Sequence, residues 1–128
     1  MVAGCSKSEI QSVRKRAEAG DANAQLTLGR FYADGVFVSQ DDAKAAQWYL
    51  LAAKQGQADA QVFLGMAYET GMGISKDYVE AYAWFNVAAA SIKNSELRRD
   101  GVLALLSTEQ LERGQRRAGE LSNPDFNG

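Results

Sequence analysis

Apolar residues return every three or four positions along this chain rather than every second one. After Gly20 they fall at Ala24, Leu28 and Tyr32, and after Asp41 at Ala45, Trp48 and Ala52, with Tyr49 and Ala53 beside them. That spacing predicts two amphipathic helices. The first is expected to run from Ala22 to Ala33 and to stop at Gly35, since glycine enters the left-handed region without steric penalty. The second is expected to start at Asp41, whose carboxylate can accept from the free amides of the first turn, and to end at Gly56.

The same pattern then recurs. Shifting the chain by 36 positions places Gly20 to Gly56 on Gly56 to Ile92 without a gap. Identities include Ala24/Ala60, Gln25/Gln61, Leu28/Leu64, Gly29/Gly65, Tyr32/Tyr68, Gly35/Gly71, Asp41/Asp77, Trp48/Trp84 and Ala53/Ala89. A gapless period of this size is the signature of a solenoid built from one repeated supersecondary unit. Small residues recur where the helices of a unit must touch, at Ala24, Gly29, Ala45 and Ala52. Trp48 and Trp84 are expected to fill the core between them, because aromatics at helical spacing supply buried area.

Two units alone are marginal, so the flanks are expected to cap them. Ile10, Val13 and Ala17 share a face ahead of Gly20, as in an unpaired helix of the second type. Ser95 to Leu106 reads as another helix of the first type. Ser107-Thr108-Glu109-Gln110 has capping-box spacing before a last helix carrying Leu111, Ala118 and Leu121, which Gly114 and Gly119 weaken. The expected architecture is an all-α superhelix, a solenoid of helix-turn-helix repeats with about seven helices. Its segments are a tail over 1–6, an N-terminal capping helix over 7–20, repeat one over 21–56, repeat two over 57–92, a C-terminal helical hairpin cap over 93–121 and a tail over 122–128.

Composition narrows the chemistry. Alanine is abundant and the only proline, Pro124, lies in the C-terminal tail, so the breaks upstream depend on glycine. The chain has no histidine and one cysteine. Histidine-based nucleophile pairs, histidine general bases and most catalytic zinc sets are therefore excluded. No nucleotide loop, metal-ligand spacing or nucleophile elbow occurs, so neither a metal nor a cofactor is expected, and Asp41 and Asp42 read as helix caps. A net charge of -2 without a long basic run speaks against nucleic acid.

The 36-residue unit resembles the Sel1-like repeat, a relative of the tetratricopeptide repeat. The resemblance is carried by Ala24-Gln25-Leu26-Thr27-Leu28-Gly29-Arg30-Phe31-Tyr32, by the loop from Gly35 to Asp41, and by Ala45-Ala46-Gln47-Trp48-Tyr49-Leu50-Leu51-Ala52-Ala53, with equally close matches one period on. The resemblance implies a binding scaffold for a protein or peptide, without catalytic activity and with a monomer favoured. It also allows an inhibitor or immunity protein against a secreted toxin enzyme. A cysteine-rich branch linked to β-lactam binding clips its repeats with disulfides, but neither repeat here has a cysteine, which leaves a cell-wall or β-lactam-processing enzyme as the least supported reading.

Val2-Ala3-Gly4-Cys5 resembles a bacterial lipobox, with Cys5 as the lipidation site. Only four residues precede that cysteine, too few for a signal peptide. Two expectations stay open: a lipoprotein of the bacterial cell envelope, in the periplasm and held at the outer membrane only by lipid on Cys5, or a cytoplasmic protein with a frayed terminus. Arg14-Lys15-Arg16 could touch anionic lipid in the first case, but a solvated helix face is the favoured account of this run.

The partner-binding face follows from helical geometry. At ~100° per residue the arc opposite Ala24, Leu28 and Tyr32 carries Asn23, Leu26, Thr27, Arg30, Ala33 and Asp34. One period on it carries Asp59, Val62, Phe63, Met66, Glu69 and Thr70. The candidates are Asn23, Leu26, Arg30, Asp59, Val62, Phe63, Met66 and Glu69. Phe63 and Met66 stand out as apolar side chains on an arc expected to face solvent; packing against the C-terminal helices is the competing account. Residues 20–92 hold eight acids and four bases, which favours a basic or mixed partner.

Overall fold

The computed structural model describes residues 7–123, and Cys5 and the lipobox-like segment lie outside them. Seven helices follow in order: α1 (Lys7–Glu18), α2 (Ala22–Asp34), α3 (Asp42–Lys54), α4 (Ala58–Thr70), α5 (Tyr78–Ala88), α6 (Ser95–Leu103) and α7 (Thr108–Ser122). Each of α1 to α5 packs on the next, which makes the all-α solenoid, and both α6 and α7 pack on α5. The C-terminal cap is thus less a hairpin than two helices sharing one partner. Helix α6 ends at Leu103, three residues short of the expected Leu106, and Asn94 at its start makes no capping hydrogen bond.

The two repeats are built alike in detail. Asp41 accepts from the Lys44 amide, and Asp77 from those of Val79 and Glu80. Gly35 and Gly71 close α2 and α4 at φ 69° and 76°. In each loop the amide of the capping aspartate donates to a tyrosine carbonyl, Asp41 to Tyr32 and Asp77 to Tyr68, both at 2.9 Å. One position breaks the likeness. Phe37 sits at φ 65°, where its counterpart 36 residues on is Gly73 at φ 77°. A side chain in that region costs ~1–2 kcal/mol. The Phe37 ring meets Phe31 edge-on at 5.1 Å, which offsets part of that cost.

The joint between repeats is also repeated. The buried Gln25 donates from Nε2 to the Ala17 carbonyl at 3.1 Å, and the buried Gln61 does the same to Ala53 at 3.2 Å. Each adds a second donor to a carbonyl at the end of the preceding helix, beside the amide of Gly20 on Ala17 and of Gly56 on Ala53. Gln61→Ala is expected to cost about 0.5–1.5 kcal/mol, the net worth of the lost hydrogen bond, because the Gly56 amide still donates to the Ala53 carbonyl. Urea denaturation checks this against Gln47→Ala, a change at an exposed position of α3 with little expected effect.

The core separates the two tryptophans. Trp84 is 1% exposed and lies in the central cluster with Leu64, Ala118 and Leu121, so α7 closes over it. Trp48 is only half-buried, packed against the N-terminal cluster of Ile10, Val13 and Leu28. The expectation that both are core residues is corrected at Trp48, because no helix lies on α3 as α7 lies on α5. The glycines of α7 also divide. A Cβ on Gly114 would come within 2.7 Å of Tyr82 Cδ1, whereas Gly119 faces open space. Gly119→Ala is therefore expected to stabilise by about 0.5–1 kcal/mol and Gly114→Ala to destabilise, both read from thermal unfolding midpoints.

Candidate functional site

Helices α2, α3 and α4 enclose a largely apolar groove of about 320 Å³. This volume is at the small end of ligand pockets, enough for one or two side chains of a partner. Its base is a pair of stacked rings, Tyr49 and Phe63, with centroids 5.2 Å apart and planes 24° from parallel. Gly29 lets the Tyr49 ring lie this deep, since a Cβ there would stand 2.7 Å from Tyr49 Cε1. Met66 and the exposed Met72 form one wall, and the Arg30 guanidinium hangs 6.0 Å above the Phe63 ring. Asp34, one turn after Arg30 on α2, and Asp42 at the start of α3 also line the groove. Neither is in an ion pair among the described residues; Asp42 accepts only from Gln40 Nε2, at 3.3 Å.

Tyr49 is the unusual member. It is 7% exposed, and its hydroxyl makes no hydrogen bond among the described residues. Burial, followed by the field of Asp34, pushes its pKa up to about 12; Asp42 adds to this and Arg30 opposes it. The phenol is therefore a proton donor throughout the physiological range. An unfolded tyrosine titrates near 10, so the protonated phenol contributes stability in full below about pH 10 and loses it as pH rises through 12. Tyr49→Phe is expected to flatten the fall in urea midpoint between pH 10 and 12, removing up to about 2–3 kcal/mol of its amplitude. The half-buried Tyr68, also raised by burial and by Glu80, leaves a residual slope.

Of the candidate residues read from the helical arcs, the structure gathers Arg30, Phe63 and Met66 in this groove. Met66 lines the groove and also packs against the C-terminal cluster around Tyr82, Phe85 and Val102. The others lie elsewhere. Asn23 accepts from Gln57 Nε2 at the joint between repeats, Leu26 packs on the central core, and Val62 packs against the C-terminal cluster. Asp59 is exposed on the first turn of α4, and Glu69 is half-buried outside the groove. An arc runs the whole length of a helix, whereas the groove is lined by α2 from Arg30 onward and by α4 from Phe63 onward. The arcs also miss Asp42 and Tyr49, because α3 contributes them and a single-helix projection carries no information about a crossing helix. The signal that finds them is the difference between repeats: Asp42 and Tyr49 correspond to Tyr78 and Phe85.

A second cleft of about 560 Å³ separates the start of α5 from α7. It is polar, and Arg117 of α7 crosses it to Glu80 at 2.8 Å while also pairing with Glu120 on its own helix at 3.3 Å. Among the described residues no cluster of acidic or thiol side chains has the makings of a metal site, and no helix is long and apolar enough to cross a membrane.

Comparison with known proteins places this geometry in a family. The chain is similar to a protective antigen present in uropathogenic Escherichia coli strains that displays an SLR fold, at 34% identity and a TM-score of 0.84 over 88% of this chain. It is also similar to a Sel1 repeat protein from Oxalobacter formigenes, at 36% identity and a TM-score of 0.64 over 80% of this chain. The chain spans 24% of the length of the first and 45% of the second. No curated protein is detectably similar to it. The Sel1 repeat matches residues 22–57 and again 58–91, more than half of the chain, and its boundaries coincide with the two helix pairs α2–α3 and α4–α5. With its 36-residue period, paired caps and repeated glutamine joints, the chain belongs to the Sel1 repeat family.

Proposed function

We propose that the chain is a non-enzymatic scaffold that holds a protein or peptide partner in the groove between α2, α3 and α4. Sel1 repeats generally serve as protein-interaction modules. The observation that carries the reading here is the groove itself, with stacked aromatic rings at its base and unpaired carboxylates at its rim. Adaptable methionine and aromatic surfaces of this kind favour extended polypeptide over a small rigid ligand.

The test is selection of a random peptide library displayed on phage against the full chain, followed by binding of the synthetic peptides to Thr70→Trp. Thr70 is the exposed last residue of α4 and lines the groove, so a tryptophan there plugs the space without adding charge. Selected peptides are expected to bind Thr70→Trp at least tenfold more weakly, with helical circular dichroism and melting unchanged. Equal binding to both would move the partner face elsewhere.

We further propose that the chain is held at the bacterial envelope by lipid on Cys5, a reading supported by the Val2-Ala3-Gly4-Cys5 motif. Intact mass of the chain expressed from its native gene is expected to show an acylated cysteine; an unmodified thiol overturns this.

A further inference from the structure

The groove of repeat one carries polar groups that the repeat fold does not require. Arg30, Asp34, Asp42 and Tyr49 line it, and 36 residues on the same framework holds Met66, Thr70, Tyr78 and Phe85. Every one of these charges is absent from repeat two, and the phenol of Tyr49 has become a plain phenyl ring. Phe85 is fully buried with no hydroxyl to satisfy. Tyr49 differs in that its hydroxyl oxygen stays open to the groove, since it is not among the buried side-chain atoms without a partner. Repeat one thus turns a phenol, on a residue 7% exposed overall, toward the groove with no hydrogen bond among the described residues.

The charges around it do not balance. Two carboxylates face one guanidinium, and that guanidinium is turned to the Phe63 ring rather than paired with either of them. Apart from Thr70, whose hydroxyl donates to the Met66 carbonyl, the rest of the lining is apolar: Ala33, Ala45, Ala46, Met66, Ala67 and Met72. A partner group complementary to this surface has an aliphatic stem and a cationic head with several donors. That is the chemistry of a basic side chain, which buries its methylenes along apolar surface and presents its charge at the end.

We propose that the groove is a socket for one lysine or arginine side chain of a partner protein. Its stem lies along Phe63, Met66 and Met72, and its head sits between Asp34, Asp42 and the Tyr49 hydroxyl. The phenol oxygen accepts from the head while its own proton turns to a carboxylate. Arg30 closes the Phe63 side and limits the socket to a single cation. The inference rests on the groove being the partner face.

The peptides selected against the full chain test it. They are expected to share one basic residue with apolar neighbours. Their affinity should fall at least tenfold in Asp34→Asn/Asp42→Asn and at least threefold in Tyr49→Phe, a change that installs the residue repeat two already uses and leaves the fold intact. Replacing the shared basic residue by norleucine or acetyl-lysine should abolish binding, and raising salt from 50 to 500 mM should weaken it. Peptides that lose binding in Thr70→Trp but need no cation, or that need an acidic residue and are lost in Arg30→Ala, would overturn the socket while leaving the groove as the partner face. Peptides that bind Thr70→Trp unchanged, or a selection that yields none, would overturn both.

Discussion

Trp84→Ala is expected to lower stability by about 3–5 kcal/mol, the range for emptying a fully buried indole position. Trp84 is sealed by Leu64 from α4 and by Ala118 and Leu121 from α7, so its removal opens a cavity at the meeting point of three helices. Neither α4 nor α7 can collapse into it without disturbing its packing on α5, where Gly114 already lies against Tyr82. Trp48→Ala removes the identical residue 36 positions earlier and is expected to cost only about 1–2 kcal/mol, in proportion to its partial burial. Urea unfolding of the two variants side by side measures the difference directly. Equal losses would mean that α7 contributes nothing to the burial of Trp84.

Exchange of Phe37 and Gly73 should be strongly asymmetric. Both residues occupy the left-handed region, at φ 65° and 77°. Phe37→Gly releases backbone strain of ~1–2 kcal/mol and loses a ring contact worth ~0.5–1.5 kcal/mol, so its net effect should stay within about 1 kcal/mol of zero. Gly73→Phe has no such balance. A Cβ on Gly73 would be driven into the carbonyl group of Asp42 and would stand 2.7 Å from the Ala43 amide nitrogen, which is backbone at the start of α3 and cannot rotate away. The loop of repeat two would have to lift off repeat one. A loss of more than about 3 kcal/mol is expected, from strain and broken stacking together. Thermal and urea midpoints of both variants check this, and similar losses in the two directions would show that the loop does not bear on α3.

The helices and their order were legible because the period is gapless. Fourteen identities 36 residues apart tie each local pattern to a second copy of itself, so caps such as Asp41 and Asp77 support one another. Tertiary context decided the rest. Trp48 and Trp84 hold the same position in the repeat, yet only one has α7 above it. Helix α6 stops early at Leu103, with the Leu105 and Leu106 amides turned back to Val102 and Leu103, a closure that apolar spacing alone does not signal. In the groove, Arg30, Phe63 and Met66 could be read from α2 and α4, whereas Asp42 and Tyr49 could not, because their approach depends on how α3 crosses its neighbours. Met66 shows the limit of a two-way choice between surface and core, since it serves both.

Because successive units are fastened by the same pair eight residues apart, Ala17 with Gln25 and Ala53 with Gln61, a tandem duplication of 36 residues recreates the fastening at its new boundary with no other substitution. Recombination can therefore lengthen such an array in whole steps, each unit arriving with its own attachment. An insertion of one residue between Ala53 and Gln61 would instead swing the glutamine by ~100° and unfasten the boundary. The position 36 residues beyond Gln61 is Leu97, which is 75% exposed and has no amide to offer, so the series ends there. Copy number is thus a property that selection can tune independently of the contents of any one groove.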